Sequence, residues 1–135
     1  MGEALLSKKP IILCVDDEVM VLESLKRELK ESFANRFIYE MAENAADALE
    51  IIEELQEDNI DVFLILSDWL MPGMKGDEFL ITVHEKYPKI IKVMLTGQAD
   101  DEAISRAKQF ANLHRCLHKP WDGKELIKTI ESSMS

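Results

Sequence analysis

Residues Val62–Gly73, with the sequence VFLILSDWLMPG, carry the clearest structural signal in this chain. An apolar run that is too short to cross a membrane ends at a single acid, Asp68, and Pro72-Gly73 and Gly76 then mark a turn. Such a run is typical of a strand that is buried on both faces of a parallel sheet. We therefore expect Asp68 at the carboxyl end of a central strand, where open α/β sheets bind their ligands.

On either side of this strand, short apolar runs alternate with segments of helical periodicity. The other predicted strands are Ile11–Val15, Phe37–Met41 (at a sheet edge), Ile90–Leu95 and Leu113–His118. The predicted helices are one that begins at Val19, Ala45–Leu55 capped by Asn44, Asp77–Tyr87 before Pro88, about Asp100–Ala111, and Asp122 to about Met134. The residues expected to face the core are Val19, Leu22, Leu25, Leu29, Ala48, Leu49, Ile52, Leu55, Phe79, Leu80, Val83, Ile104, Ala107, Phe110, Leu126, Ile127 and Ile130. This alternation predicts an α/β fold with a doubly wound, five-stranded parallel sheet.

The composition indicates one globular domain, with 47% hydrophobic and 31% charged residues in a chain of 135. A formal net charge of −10 opposes direct binding of nucleic acid or a membrane surface by this domain, because both need clustered Lys and Arg. No apolar run reaches the roughly 20 residues of a spanning helix, and the first nine residues lack the pattern of a signal peptide. Cys14 and Cys116 are isolated in strand-like runs, which favours reduced thiols in a cytoplasmic protein.

Polar residues stand at the ends of four predicted strands. They are Asp16 and Asp17, Asp68, Thr96, and Lys119. Because the carboxyl ends of parallel strands lie at one edge of a sheet, we expect these side chains to converge. Three clustered carboxylates repel one another by up to about 4 kcal/mol for each pair at ~4 Å. Either a hard cation among them or protonation of one member relieves that repulsion.

This set of residue types indicates phosphoryl transfer assisted by a metal ion. Two or three carboxylates with open water positions are typical of Mg²⁺, with Mn²⁺ as the alternative ion. Lys119 supplies a point cation for a phosphoryl oxygen, Thr96 supplies a hydroxyl donor, and Gly97 leaves room for a tetrahedral group. Asp68 is the predicted nucleophile, because it lies on the central strand between the other residues.

Each of these residues also has a simpler interpretation. Asp16 and Asp17 can serve as helix-start residues, Asp68 and Thr96 can cap turns or helices, and a single Lys is usually solvated. Their joint placement at four strand ends favours the functional interpretation. A nucleotide-binding loop is not predicted, because acids rather than a glycine-rich motif follow the first strand.

A second metal-ligating pattern lies in the fifth predicted strand. His114, Cys116 and His118 alternate along it and share one face. This leaves a zinc site open beside the favoured interpretation, in which the histidines are packed or solvated.

From Ile11 to about Met134, the chain resembles the receiver domain of bacterial two-component response regulators. The motifs that carry the resemblance are Asp16-Asp17, Asp68 with Met71-Pro72-Gly73 and Gly76, Thr96-Gly97, and Lys119-Pro120. The resemblance implies a flavodoxin-like (βα)5 fold with strand order 2-1-3-4-5 for residues 10–135, after an N-terminal extension of residues 1–9.

The same resemblance implies roles for the strand-end residues. Asp68 would accept a phosphoryl group from the phosphohistidine of a sensor histidine kinase or phosphotransfer protein, or from a small phosphodonor. The implied Mg²⁺ ligands are Asp17, Asp68 and the main-chain carbonyl of Leu70, with Asp16 acting through a bound water. Thr96 and Lys119 would bind phosphoryl oxygens, and the Lys119-Pro120 peptide bond is expected to be cis.

The resemblance also implies partners. An effector, attached or separate, would read the phosphorylated state through the face formed by the fourth helix, fifth strand and fifth helix, and a phosphorylation-dependent homodimer is a further expectation. The sequences of Leu95–Asp100 and His118–Asp122 resemble those of receivers that are joined to cyclic-di-GMP turnover modules or to kinases. We expect no enzymatic activity beyond the domain's own aspartyl phosphorylation and dephosphorylation.

Three positions qualify this interpretation. Cys116 stands where the family usually has Tyr or Phe, and a Cys cannot swing a large aromatic area when Thr96 moves. Leu70 and Gln98 occupy positions that tune dephosphorylation in the family, and their identities lead us to expect moderate persistence of the phosphoryl group. Two alternatives stay open: a phosphohydrolase with an aspartyl-phosphate intermediate, although Leu70 stands where such enzymes carry a second Asp, and a degenerate receiver that serves only as a binding module.

Overall fold

The chain folds into a five-stranded parallel sheet with helices on both faces. A computed structural model describes residues 9–98 and 101–134, and within these it contains five strands and five α-helices. The strands are β1 (Ile11–Val15), β2 (Ile38–Ala42), β3 (Val62–Asp68), β4 (Ile91–Thr96) and β5 (Arg115–His118). The helices are α1 (Val19–Phe33), α2 (Ala45–Glu57), α3 (Gly76–Lys86), α4 (Asp101–Phe110) and α5 (Gly123–Ser133), with a 3-10 turn at Ala34–Arg36.

The order of the strands brings four strand ends to one edge. The order is β2-β1-β3-β4-β5 and every pair is parallel, which confirms the predicted doubly wound fold. In the sheet register, Val15 pairs with Ser67, and Asp68 pairs with Leu95. The last residue of β4, Thr96, pairs with His118 of β5. The strand-end residues therefore leave the sheet on the same side.

An apolar layer covers each face of the sheet, so the central strands are buried on both sides. All five residues of β1 are buried. One layer contains Leu22, Leu25, Leu29 and Phe33 of α1 together with Leu126 and Ile130 of α5. The other layer contains Ala48, Ile52 and Leu55 of α2, Phe79, Leu80 and Val83 of α3, and Ala107 of α4. This burial on both faces agrees with the interpretation of Val62–Leu66 as a strand of a parallel sheet.

Side-chain hydrogen bonds cap the amino ends of two helices, and the cap at Asn44 was predicted from the sequence. The Asn44 side chain accepts a hydrogen bond from the main-chain N–H of Asp47 at 2.8 Å and caps α2. The Asp122 side chain accepts from the N–H of Lys124 at 3.0 Å and caps α5. Each cap satisfies an N–H group that has no partner within its helix.

Two residues predicted to face the core are exposed instead. Val19 is 49% exposed at the first position of α1, beyond the carboxyl end of β1. Phe110 is 52% exposed at the end of α4, because Ala111 takes the buried position four residues after Ala107. Leu49, Ile104 and Ile127 are partly buried at the margins of the two layers.

The predicted boundaries shift by small amounts. β2 and β4 each begin and end one residue later than expected. β5 begins at Arg115 rather than Leu113, because the N–H of Leu113 bonds back to the carbonyl of Ala107 at the end of α4. α2 continues to Glu57. The predicted extension of residues 1–9 and the predicted start of the fourth helix at Asp100 fall largely outside the described residues, in which α4 begins at Asp101.

Within residues 9–98 and 101–134, no helix combines the length and the apolar character that crossing a bilayer requires.

Candidate functional site

Three carboxylates meet at the carboxyl edge of the sheet. Asp16, Asp17 and Asp68 each offer an oxygen atom, and these atoms all lie within 4.8 Å of one another. Asp16 is fully buried, Asp68 is buried at the cleft floor, and Asp17 is exposed. Within the described part of the chain, this is the one group of three or more side chains with the spacing of metal ligands.

The sheet itself fixes the positions of these side chains. Asp68 is the last residue of β3 and Thr96 is the last residue of β4. The main-chain N–H of Asp16 donates to the carbonyl of Ala42 at 3.1 Å, and the N–H of Lys119 donates to the carbonyl of Thr96 at 3.0 Å. The parallel hydrogen-bond pattern therefore continues one residue past β1 and β5 and holds both residues at the edge.

Lys119 bridges two of the three carboxylates. Its Nζ donates to Asp16 Oδ2 at 2.7 Å and lies 3.1 Å from Asp68 Oδ1. Burial alone would lower the pKa of Lys119, but the hydrogen bonds and negative charges of Asp16 and Asp68 outweigh that effect and raise it. The ammonium group therefore remains charged where the cleft concentrates negative charge.

The environment of Asp68 makes its ionised form less stable than that of an exposed carboxylate. Burial and the neighbouring charge of Asp16 raise the pKa of Asp68. The charge and hydrogen bond of Lys119 and the hydrogen bond from the Trp69 N–H act in the opposite direction without cancelling the rise. A partly desolvated carboxylate at an open cleft is a stronger nucleophile than one fully hydrated by water.

An open cleft of about 470 Å³ gives access to Asp68. Its lining residues are Asp17, Glu18, Asp68, Leu70, Met71, Pro72, Thr96, Gly97, Gln98 and Lys119. Thr96 Oγ1 accepts a hydrogen bond from the N–H of Gln98 at 3.0 Å, which orients the hydroxyl at the cleft wall. A β-carbon at Gly97 would have only the Lys119 side chain nearby, at 4.0 Å, so this wall is free of crowding within the described residues.

The loop after Asp68 approaches the end of β3 very closely. The N–H of Gly76 donates to the carbonyl of Trp69 at 2.7 Å. A β-carbon at Gly76 would lie 2.2 Å from the main-chain oxygen of Asp68 and 2.8 Å from Trp69 Cα. Gly76 is therefore required by close approach of the two backbone segments, a reason that its interpretation as turn punctuation did not supply.

The charge and donor types of the cluster fit a divalent cation with oxygen ligands. Asp16, Asp17 and Asp68 bring three carboxylates together, and the ammonium of Lys119 compensates only part of their charge. Carboxylates with room for water are the ligands that Mg²⁺ prefers, and Mg²⁺ keeps part of its hydration shell.

The second predicted metal-ligating pattern does not assemble. Among the residues that the structure describes, His114, Cys116 and His118 do not form a metal-binding group. His114 Nε2 instead lies 3.0 Å from Ser132 Oγ and 3.3 Å from the carbonyl of Thr129, at the end of α5. The zinc interpretation is therefore wrong, because His114, just before β5, uses its imidazole in contacts with α5.

Two further features of this edge bear on the sequence predictions. The Lys119-Pro120 peptide bond is cis, as expected. Sequence reasoning missed Asp77, a buried acid that bonds to Trp69 and Arg106. No spacing rule would have found it, because Asp77 and Arg106 are 29 residues apart on different helices.

Comparisons with known proteins show what this chain is similar to. The family model of the response regulator receiver domain matches residues 12–131. The hydrogenase transcriptional regulatory protein HoxA of Cupriavidus necator is 32% identical over 94% of this chain, which spans only 24% of HoxA. The chemotaxis protein CheY-3 of Vibrio cholerae is 29% identical, and the match covers 96% of this chain and 95% of CheY-3. The crystal structure of the signal receiver domain of an HD domain-containing protein from Pseudomonas fluorescens Pf-5 superposes with a TM-score of 0.82 at 29% identity, over 93% of this chain and 94% of that one.

Proposed function

Since this chain belongs to the response regulator receiver domain family, whose members are signalling modules switched by phosphorylation, we propose that Asp68 is its phosphoacceptor. Modification of Asp68 would then change how the domain binds an effector. The observation that carries the proposal is the meeting of Asp16, Asp17 and Asp68 within 4.8 Å, with the Lys119 ammonium between two of them, at the floor of an open cleft.

The proposed reaction is transfer of a phosphoryl group to a carboxylate oxygen of Asp68. An oxygen of Asp68 forms a bond to phosphorus as the bond from phosphorus to the donor breaks, and the donor leaves with the bonding electrons. For a phosphohistidine donor the broken bond is P–N, and the imidazole leaving group takes up a proton. Lys119 binds a phosphoryl oxygen with its ammonium group, and the Thr96 hydroxyl binds another.

The same proposal assigns the metal ligands. Receiver domains generally bind Mg²⁺ through acidic residues, and the acids of this cluster fit that ion. Asp17, Asp68 and the main-chain carbonyl of Leu70 would hold Mg²⁺, or Mn²⁺, and Asp16 would act through a bound water. The ion would neutralise negative charge on the phosphoryl group when bound. Asp16 also orients Lys119, since its carboxylate accepts the 2.7 Å hydrogen bond from Nζ.

The proposed partners follow from the same chemistry. A sensor histidine kinase or a phosphotransfer protein donates the phosphoryl group, and an effector reads the product through α4, β5 and α5, with a homodimer as one form of output. The relatives include a transcriptional regulator about four times as long as this chain and a chemotaxis protein of similar length, so an attached and a separate effector are both compatible with the family. Control of cyclic-di-GMP turnover or of a kinase is the output that the sequence around Thr96 and Lys119 favours.

The proposed setting is the cytoplasm, and the domain itself is not expected to bind nucleic acid or a membrane. Both cysteines, Cys14 and Cys116, are free thiols, as suits a reducing compartment. The net charge of −10 opposes binding of polyanions.

Incubation with acetyl phosphate and Mg²⁺, followed by intact-mass measurement, tests the proposal. We expect wild-type protein to gain the mass of one phosphoryl group and Asp68→Asn to gain none. Asp61→Asn is the matched control, because Asp61 is an exposed acid just before β3, at the opposite end of that strand from Asp68. Failure of wild-type protein to take up a phosphoryl group, or full uptake by Asp68→Asn, would contradict the proposal. Steady turnover of phosphate esters would favour the phosphohydrolase instead.

The same assay measures how long the phosphoryl group stays on Asp68. Leu70 and Gln98 both line the cleft, and neither side chain is an acid that would activate a water. We therefore expect moderate persistence. Loss of the added mass within seconds of donor removal would contradict it.

A further inference from the structure

Asp77 is a buried carboxylate outside the acidic cluster, and both of its oxygens are used. It lies in the first turn of α3 and is 3% exposed. Its Oδ1 accepts a hydrogen bond from the indole Nε1 of Trp69 at 2.9 Å. Its Oδ2 forms an ion pair with the guanidinium group of Arg106, which lies on α4. A buried charge of this kind is retained only where its partners compensate its desolvation.

Trp69 connects this carboxylate to the proposed phosphoacceptor. The main-chain N–H of Trp69 donates to Asp68 Oδ1 at 2.9 Å, while its indole N–H donates to Asp77. One residue therefore bonds Asp68 through its backbone and Asp77 through its side chain. Any change in the acceptor at Asp68 acts directly on the residue that holds Asp77.

The loop around Trp69 has little freedom to absorb a displacement. Gly76 donates to the Trp69 carbonyl at 2.7 Å, and the backbone at Gly76 lies too close to Asp68 to admit a β-carbon. Lys75 Nζ lies 5.1 Å from the centroid of the Trp69 ring, within range of a cation–π interaction. Several contacts thus hold Trp69, and we expect a movement of its ring to displace Asp77 rather than to be absorbed by a change in the loop.

Arg106 connects Asp77 to α4, which is part of the proposed output face. It lies in the middle of α4, and its side chain is 46% exposed, so its remaining donors are accessible to solvent. The Asp77–Arg106 ion pair therefore joins the first turn of α3 to the middle of α4. Cys116, on β5 beside α4, brings no aromatic ring that could serve as a second mechanical link.

We propose that Asp77 is a positioning residue that couples the state of Asp68 to the position and dynamics of α4, through Trp69 on one side and Arg106 on the other. This inference rests on the proposed function of Asp68. When Asp68 is phosphorylated, one of its oxygens joins phosphorus and the carboxylate becomes an acyl phosphate, so the acceptor of the hydrogen bond from the Trp69 N–H changes its charge. The adjustment of Trp69 alters the Asp77–Arg106 pair and, with it, the docking of α4. By thermodynamic linkage, a change in the ion pair also alters phosphorylation of Asp68.

A purely structural role would give a different result from coupling. If the pair only fastens α3 to α4, its removal would loosen α4 equally with and without modification of Asp68. If the pair couples Asp68 to α4, its removal would abolish the difference in α4 between the modified and unmodified states of Asp68. The measurement must therefore compare α4 in both states in each variant.

Hydrogen–deuterium exchange of the 101–110 segment, with and without beryllofluoride and Mg²⁺ as the phosphoryl mimic, makes this comparison. In wild-type protein we expect the mimic to change exchange of this segment by roughly fivefold or more, the lower end of measured couplings between sites. In Asp77→Asn and in Arg106→Gln we expect the exchange to be nearly the same in both states. Lys108→Gln is the matched control, since it removes a positive charge from the same helix without touching Asp77, and it should respond like wild-type protein.

Three outcomes would overturn the coupling. They are a full response of α4 to the mimic in both variants, no response of α4 in wild-type protein, and a loss of response in Lys108→Gln as large as in Arg106→Gln. Arg106→Gln changes a half-exposed side chain, so the test stands even if Asp77→Asn fails to fold. All three variants keep Asp68, so intact mass after acetyl phosphate treatment separates the two failures: no uptake by wild-type protein refutes the phosphoacceptor, whereas normal uptake with an unchanged α4 response in the variants refutes the coupling alone.

Discussion

Lys92 and Lys119 occupy the same sheet, but their ammonium groups have opposite surroundings. Lys92 lies near the amino end of β4 and is 1% exposed. Its Nζ donates to the carbonyl of Ile90 at 2.6 Å and lies 2.9 Å from His84 Nδ1, both of them neutral acceptors. Burial lowers the pKa of Lys92 to about 8. Lys119, between Asp16 and Asp68 at the carboxyl edge, has a raised pKa because two carboxylates outweigh its burial.

The difference shows that the partner, not the residue type or its burial, decides what a buried lysine does. At the amino edge the charge of Lys92 destabilises the folded state, because neutral acceptors do not compensate for desolvation of an ammonium ion. At the carboxyl edge the charge of Lys119 is compensated in the ground state and also available to a phosphoryl oxygen. The same arrangement that stabilises Lys119 therefore prepares the cleft for an anion.

The largest expected effect is that of Lys119→Met. It leaves the fully buried Asp16 and the neighbouring Asp68 without an ammonium partner. We expect the free energy of unfolding without Mg²⁺ to fall by about 4 kcal/mol, measured by urea denaturation, with partial recovery on addition of Mg²⁺. Phosphoryl uptake from acetyl phosphate should fall by roughly 100-fold or more. Lys119→Arg, which retains the charge, should lose less stability, and equal losses in both variants would contradict the role assigned to charge.

Gly76→Ala tests whether the loop geometry, as distinct from the charges, holds Asp68 beside Lys119. The added β-carbon would collide with the Asp68 main chain at 2.2 Å, so the loop must shift, at a cost of about 3 kcal/mol. We expect lower stability and slower phosphoryl uptake. Gly123→Ala, also at the first position of a helix, is the control, because its β-carbon would make ordinary contacts with the Glu28 carboxylate, at 3.6 Å from Oε1 and 4.0 Å from Cδ. Similar behaviour of the two variants would contradict the steric argument.

Lys92→Met tests the other side of the comparison through pH. Unfolded Lys92 keeps its proton up to its ordinary pKa of 10.5, whereas folded Lys92 loses it at about 8. Between these pH values the unfolded state binds more protons, so the free energy of unfolding must rise with pH. We expect wild-type protein to gain about 2 kcal/mol relative to Lys92→Met between pH 8 and 10, measured by urea denaturation at each pH. Parallel pH profiles for the two proteins would show that Lys92 does not carry the predicted cost.

Asp17→Asn is expected to have the smallest effect on stability. Asp17 is exposed, so solvent screens its repulsion with Asp16 and Asp68, and relief of that repulsion should raise stability without Mg²⁺ by less than about 1 kcal/mol. The same change should weaken binding of Mg²⁺, because it removes a proposed ligand. A lower melting temperature without Mg²⁺, or unchanged Mg²⁺ affinity by calorimetry, would contradict a crowded acidic site.

Much of the fold could be predicted from local signals. Residues 62–66 are apolar throughout because both faces of β3 are covered, and the cap at Asn44 and the stop before Pro88 act within a few residues of sequence. The wrong predictions of core residues fall at the ends of helices. Val19 and Phe110 follow the helical periodicity, yet they lie at helix ends and are about half exposed.

The sequence by itself determined which elements form and which polar residues stand at their ends, because hydrophobic periodicity and turn chemistry are properties of neighbouring residues. Parallel strands then required those ends to share one edge, so the meeting of Asp16, Asp17, Asp68 and Lys119 was predictable. Only the tertiary structure decided the opposite pKa shifts of Lys92 and Lys119 and the bonding of Asp77 to Trp69 and Arg106. Those outcomes depend on distances between side chains of different elements, and electrostatic and hydrogen-bond energies change steeply over the ångströms that only packing fixes.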